Sequence, residues 1–312
     1  MSSPLVPGDA PGPPTDKPAS RGDKLAPPWA ELAEMAAGAV AEDLPLGDPT
    51  GAAVGPRPAE AALVARQAGT VAGLVAVQLV LDAVSRRLGT GPGRATLFVE
   101  DGARVGASGV LGVLAGPADT LLAAERTVLN VVSHLSGVAT VTAAAVDAVA
   151  GTGAVIRDTR KTLPGLRAVE KYAVRCGGGA NHHMSLSDAL LVKDNHIAAL
   201  GSVRDALEAA RRRAGPAGAG PVLPLEVEVD DLAQLDEALA AGAKLLLVDN
   251  LSLEDTVEAV RRANSHGAEL EASGGLRLDN IRAVAACGVK YLAIGALTHS
   301  APALDIGLDW RM

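Results

Sequence analysis

The sequence predicts an α/β protein of two units, the second of them a β/α barrel. Three observations predict it. Six short apolar runs recur through the second half of the chain: Ala154–Arg157, Leu190–Lys193, Leu225–Val229, Leu245–Val248, Leu270–Ala272 and Tyr291–Ile294. They are followed by polar residues and then a helical pattern, and the later ones recur at the spacing of one strand plus one helix, which implies a parallel sheet. The run ends carry charge or glycine, as the mouth of a barrel requires. Six continuous apolar strands fit a barrel better than an open sheet.

A chain of 312 residues holds one large domain or two ordinary ones, and 48% hydrophobic residues supply a sizeable core. With only 2% aromatics, Ala, Val and Leu must fill that core. The formal net charge of −8 argues against a nucleic-acid surface. Two cysteines, Cys176 and Cys287, make no disulfide framework and point to a reducing, cytoplasmic setting. The longest apolar run, Val71–Leu81, contains Gly73 and Gln78 and is too short to span a bilayer, so no membrane is expected.

The first 28 residues hold eight prolines and no apolar run after a basic start. They read as a disordered tail and not as a signal peptide. From Trp29 the pattern is helical, with Leu32, Met35, Ala36, Ala39 and Val40 at three-to-four spacing. Strand-like runs follow at Thr70–Val77 and Ala95–Glu100, punctuated by Gly89-Thr90-Gly91-Pro92-Gly93. Glu125–Val149 reads as one or two Ala/Val-rich helices, interrupted at Ser136-Gly137. Residues 29–135 form the first unit.

The functional signal is a local reversal of charge. From Arg157 to His196 stand seven Lys/Arg and three of the six His against four carboxylates, inside an acidic chain. Such a reversal suits a polyanion site. Gly177-Gly178-Gly179 in its middle offers backbone N–H groups that an anion can approach closely. The strand ends carry Asp158 with Arg160-Lys161, Lys193-Asp194, Glu228, Asp249-Asn250, Ser273-Gly274-Gly275 and Gly295. The two late glycine-bearing ends match the usual phosphate position of a barrel, after its last strands.

Glu226 and Glu228 lie two apart on one strand and so face one side. With Asp249 they offer oxygens for a divalent metal such as Mg²⁺, which takes one or two carboxylates and leaves the rest to water and phosphate. Either glutamate can instead pair with a barrel cation. No His/Cys spacing suggests zinc. Lys161 and Lys193 are each candidate Schiff-base lysines, but their charged neighbours suit anion binding equally. The residues thus describe a metal-assisted enzyme acting on a phosphorylated, strongly anionic small molecule.

At this point the chain resembles the quinolinate phosphoribosyltransferase family. The resemblance rests on Glu125-Arg126-Thr127-Val128-Leu129-Asn130, Ser136-Gly137-Val138-Ala139-Thr140, the run from Asp158 to His196, Glu226-Val227-Glu228, Asp249-Asn250, Glu271-Ala272-Ser273-Gly274-Gly275 and Gly295–Ser300. It covers residues 30–312. The resemblance implies an N-terminal α/β sandwich domain over 29–135, joined by the C-terminal segment 299–312, and an incomplete β/α barrel over 136–298. It implies transfer of phosphoribose from 5-phosphoribosyl-1-pyrophosphate to quinolinate, with decarboxylation to nicotinate mononucleotide. It also implies homodimers or larger assemblies in which Arg126 reaches a neighbour's site. Arg160, His182 and Lys193 match positions around the pyridine carboxylates, and Lys161 matches one at the pyrophosphate or carboxylate. Glu228 and Asp249 match the ribose and Mg²⁺ positions, and Ser273, Gly274 and Gly295 the 5′-phosphate cradle. Lys161, Glu228 and Asp249 are the expected catalytic groups.

One position departs from the family's pattern. Asn-His-Arg is usual after the glycine run, and here it is Asn181-His182-His183. Histidine has no bidentate fork, and its ordinary pKa of about 6.5 makes its charge conditional. Arg175 or Arg167 can compensate, the enzyme can be impaired, or the acid can be a different one. A phosphate-binding protein without turnover is the remaining alternative.

Overall fold

The computed structural model describes residues 25–214 and 223–311. The tail expected over residues 1–28 lies mostly outside them. Helix α1 (Trp29–Asp43) buries Leu32, Ala36 and Val40, the stripe its periodicity predicts. Helix α2 (Pro49–Val54) starts at Asp48, whose carboxylate accepts from the Thr50 and Gly51 N–H groups. Strands β1 (Pro58–Ala65) and β2 (Gly69–Thr70), helix α3 (Ala76–Leu88), and strands β3 (Arg94–Leu97), β4 (Arg104–Val105) and β5 (Val110–Pro117) follow.

The expected strand Thr70–Val77 is not one. Thr70 closes β2, the chain turns through Gly73 at φ +85, and Ala76 already begins α3. A positive φ ends a strand, and the apolar residues beyond it bury as a helical face: Val77, Val80, Leu81 and Val84.

Helix α4 (Ala118–Ala148) then runs 31 residues without a break. The expected interruption at Ser136-Gly137 is a contact surface instead. The Ser136 hydroxyl accepts from the Ala72 N–H at 3.0 Å and donates to the Ala72 carbonyl at 3.2 Å. A Cβ on Gly137 would lie 2.2 Å from the Pro302 carbonyl oxygen. Among the described residues α4 is the one helix long and apolar enough to cross a membrane, and 67% of its apolar window is buried inside the protein. It supplies both hydrophobic clusters, one toward each unit.

The second unit comprises β6 (Val155–Arg157), α5 (Arg167–Cys176), β7 (Leu190–Val192), α6 (Asp194–Leu200), α7 (Val203–Ala214), β8 (Leu225–Val229), α8 (Leu232–Ala240), β9 (Leu245–Asp249), α9 (Leu253–Ser265), β10 (Glu269–Ser273), α10 (Ile281–Ala286), β11 (Tyr291–Ala293) and α11 (Ala296–His299). All six apolar runs are strands. They form one parallel sheet in the order β6-β11-β10-β9-β8-β7. Among the described residues its two edges, β6 and β7, do not pair, so the barrel has a seam. A single bridge from Arg157 to Ala180 extends β6 into it. The last strand, β12 (Ile306–Arg311), returns to pair antiparallel with β1, giving a four-stranded sheet in the order β12-β1-β5-β3. The architecture is an α/β sandwich unit packed on an incomplete barrel.

Candidate active site

The carboxyl ends of the strands carry the site. On β9 and β10, Asp249 stands in register with Ser273. Asn250 follows at φ +57, an unusual conformation that asparagine tolerates, and its N–H donates to the Ser273 carbonyl at 3.1 Å. Gly274 adopts φ +86, and a Cβ there would fall 2.3 Å from the Asn250 Oδ1. Only glycine lets these two turns close on each other. Next along, a Cβ on Gly295 would lie 3.0 Å from Lys161 Cδ and 3.3 Å from His299 Nε2. The Thr298 hydroxyl donates to the Lys161 carbonyl at 2.7 Å. Lys161, Gly295 and His299 therefore come together after β11, and Ser273, Gly274 and Asn250 at the ends of β9 and β10.

Beside it, Lys193 at the end of β7 pairs with Glu228 of β8. The Asp249 carboxylate accepts from Asn250 Nδ2 at 2.9 Å. Glu228 and Asp249 are oxygen donors at adjacent strand ends, a donor set that fits Mg²⁺. Glu226 belongs elsewhere. It faces into the barrel, where His182 Nε2 lies 3.0 Å from its Oε2 and 3.2 Å from Glu271 Oε1. Arg157 pairs with the other Glu271 oxygen at 2.8 Å and lies over the Tyr291 ring at 3.5 Å. His182, Glu226 and Glu271 are close enough to hold a metal ion. Two observations favour an ion-pair network: the Arg157 guanidinium already neutralises Glu271, and the imidazole proton sits between the carboxylates.

The two adjacent histidines titrate in opposite directions. For His182, burial opposes charge, yet the hydrogen bonds to Glu226 and Glu271 prevail and raise its pKa to about 9. Its Nδ1 meanwhile accepts from the His183 N–H at 2.9 Å, which leaves no room for a second ring proton. The geometry decides: Nε2 carries the proton, and the raised proton affinity belongs to the group of His182 and its two carboxylates. Burial and the neighbouring Glu271 raise Glu226. Both His182 ring nitrogens are thus occupied inside the protein and neither is presented to a substrate carboxylate. For His183, burial is the largest cause of a pKa lowered to about 4, so the ring is neutral at pH 7. Its Nδ1 is buried without a hydrogen-bond partner among the described residues, as is the Arg160 Nε.

The compensating arginines expected for His183 are committed elsewhere. Arg167 donates to the Thr162 hydroxyl and the Met184 carbonyl. Arg175 donates to Asn181 Oδ1 and the Ala26 carbonyl. The glycine run is not an anion cradle either. The Gly177, Gly178 and Gly179 N–H groups donate to carbonyls at the end of α5. A Cβ on Gly177 would meet the Ala139 carbonyl at 2.5 Å, so the run stops a helix and packs it on α4. Arg126 lies exposed on α4 and makes no ion pair among the described residues.

Sequence reasoning passed over Arg157, Lys171, Glu271 and Glu170. Each is a charged residue that reads as solvated until its partner is known. A fully apolar strand ending in Arg, and a Glu opening the run Glu271-Ala272-Ser273-Gly274-Gly275, were the available signals.

This mouth, lysines and an arginine facing carboxylates beside a glycine-built cradle, defines a barrel enzyme that handles a phosphorylated, anionic small molecule. The family models for the N-terminal and C-terminal domains of quinolinate phosphoribosyl transferase match residues 48–136 and 138–309. A nicotinate-nucleotide pyrophosphorylase [carboxylating] of Mycobacterium leprae is 53% identical over 249 residues, covering 79% of this chain and 84% of the relative. The human protein of that name is 37% identical over 258 residues, covering 81% and 83%. The structure of the Francisella tularensis nicotinate-nucleotide pyrophosphorylase matches with a TM-score of 0.82 at 34% identity, covering 92% of this chain and 98% of that one. The chain belongs to the quinolinate phosphoribosyltransferase family.

Proposed function

We propose that this chain transfers phosphoribose from 5-phosphoribosyl-1-pyrophosphate to quinolinate, releasing pyrophosphate and CO₂ and giving nicotinate mononucleotide for NAD biosynthesis. The observation that carries the reading is the set of cations and glycines at neighbouring strand ends: Lys161 beside Gly295, and Lys193 paired with Glu228. Such a set suits a phosphorylated sugar and an acid bound side by side.

Displacing pyrophosphate builds positive charge at the anomeric carbon and negative charge on the leaving group. Preorganised charge is the largest catalytic contribution in such sites. Lys161 and Lys193 supply cations, Glu228 and Asp249 anions toward the ribose, and Ser273, Gly274 and Gly295 the backbone around the 5′-phosphate. Glu228 and Asp249 would hold Mg²⁺, which supplies Lewis-acid stabilisation of the departing pyrophosphate when bound. Arg160 with its free Nε grips the acid. Once the ring nitrogen is ribosylated, its charge stabilises the carbanion left by the departing carboxylate, and Lys161 or water returns the proton.

The exposed, unpaired Arg126 supports a homodimer in which it completes a neighbour's site. Two inactive variants, Arg126→Ala and Lys161→Met, should regain turnover on mixing, and no regain speaks against shared sites. The two free cysteines support a cytoplasmic setting. Neutral, buried His183 supports a second reading, turnover of a different heterocyclic acid. Purified protein with Mg²⁺ and both substrates should make nicotinate mononucleotide. No product with quinolinate, but product with another acid from a panel, moves the assignment to that acid; no product with any acid refutes it.

A further inference from the structure

The seam of the barrel leaves the 181–183 segment without a neighbouring strand. Among the described residues, no backbone ladder holds it beyond the bridge at Ala180. Yet both backbone polar groups of His182 are satisfied, each by one member of a buried ion pair. The His182 N–H donates to Asp158 Oδ1 at 2.8 Å, and the His182 carbonyl accepts from Lys171 Nζ at 3.0 Å. Lys171 and Asp158 pair with each other, and both side chains are 0% exposed. Asp158 also accepts from Asn181 Nδ2. The pair does for His182 what an adjoining strand would do.

Lys171 is part of a larger device. Arg167, Glu170, Lys171 and Arg175 fall on one side of α5 by helical spacing. Each holds one or both of two loops. Glu170 accepts from the Leu163 N–H at 3.1 Å and is held by His134 at 2.9 Å. Arg167 spans both loops, from Thr162 to Met184, and Arg175 holds Asn181. One loop carries Arg160 and Lys161, the other His182 and His183. On these two loops, Arg160 Nε and His183 Nδ1 are buried without a hydrogen-bond partner among the described residues, one on each loop.

We infer that the Lys171–Asp158 pair is a positioning device: it fixes the 181–183 segment beside the Arg160–Lys161 loop and so determines how tightly the acid is held. The inference rests on the functional reading above. Burying both charges is costly, and an apolar or neutral pair of similar shape would hold the fold as well. Placement of the segment is what the charged pair adds, because it offers an acceptor and a donor at fixed sites. A displacement of about 1 Å in such a shell costs on the order of 10²-fold in rate.

The test compares the native protein with the Asp158→Asn/Lys171→Met double variant and with Asp158→Asn alone. Thermal unfolding, far-ultraviolet circular dichroism, and kcat and KM for each substrate are measured. The native rate comes first: no turnover ends the functional reading and is separate from the inference. With native turnover established, the folded double variant should lose about 10²-fold in kcat/KM for the acid, mostly through KM. KM for 5-phosphoribosyl-1-pyrophosphate should stay within about twofold. A folded variant with lowered melting temperature but unchanged KM for the acid overturns the inference. If the double variant does not fold, Asp158→Asn decides alone, since it keeps the shape and loses one acceptor; an unchanged KM there overturns it too.

Discussion

The two halves of the barrel mouth are built by different means. At the ends of β9, β10 and β11, strands stand in register, with five paired positions from Glu269↔Leu245 to Ser273↔Asp249, and glycine turns shape the surface. At the seam beside β6, one bridge replaces a ladder and charged side chains of α5 hold the loops. The first half is rigid through backbone hydrogen bonds and close approach. The second is rigid only through ion pairs and side-chain bonds, which makes it more sensitive to charge. Phosphate, a compact anion whose oxygens accept from several backbone N–H groups at once, suits the first. A planar acid, which must be gripped in one orientation, suits the second.

Lys161 joins the halves, with its backbone in the seam loop and its side chain beside Gly295. Lys161→Met should therefore produce the largest effect, a fall in kcat of about 10²–10³-fold, read in steady-state kinetics. A loss in KM alone would place Lys161 in binding only and sharpen the division.

The buried network behind the seam comes next. Glu271→Ala removes the carboxylate that pairs with Arg157 and leaves buried charge behind. Urea unfolding should show a loss of about 3–5 kcal/mol. A loss under about 1 kcal/mol would mean that Glu226 takes over the pairing.

On the ladder side, Gly274→Ala puts a Cβ at φ +86, 2.3 Å from Asn250 Oδ1. Stability should fall by more than about 1 kcal/mol, and KM for the sugar phosphate should rise more than KM for the acid. The reverse order would erase the distinction between the halves.

The smallest effect is a pH dependence. The folded pKa of His183, about 4, lies below its ordinary value of 6.5 chiefly because burial disfavours its protonated form. Between those values the unfolded chain binds more protons, so stability rises with pH across that window and is lost as pH falls toward 4. His183→Asn should flatten the melting temperature against pH there. An unchanged slope would place His183 in contact with solvent.

Much of this was legible in the sequence. All six barrel strands are short apolar runs, and their charged or glycine ends name Arg160, Lys161, Lys193, Glu228, Asp249, Gly274 and Gly295. The mouth followed because side chains at strand ends point where the topology sends them. The strand read at Thr70–Val77 failed because apolar alternation across Gly73 belongs to two elements. The helix break read at Ser136-Gly137 failed because small polar residues serve close packing as readily as chain turns.

Arg167, Glu170, Lys171 and Arg175 show the deeper limit. Alternating charges on one helical face describe a solvated surface until a loop lies across it. Local pattern by itself determined the barrel strands, the sign of charge at the mouth and the glycines at the strand ends, because each depends on residues near in sequence. Only the tertiary structure decided that Lys171 and Asp158 are buried together, that both ring nitrogens of His182 are taken, and that His183 is neutral. Those outcomes depend on burial and on partners brought from distant segments, and neither is written in the spacing of residues along the chain.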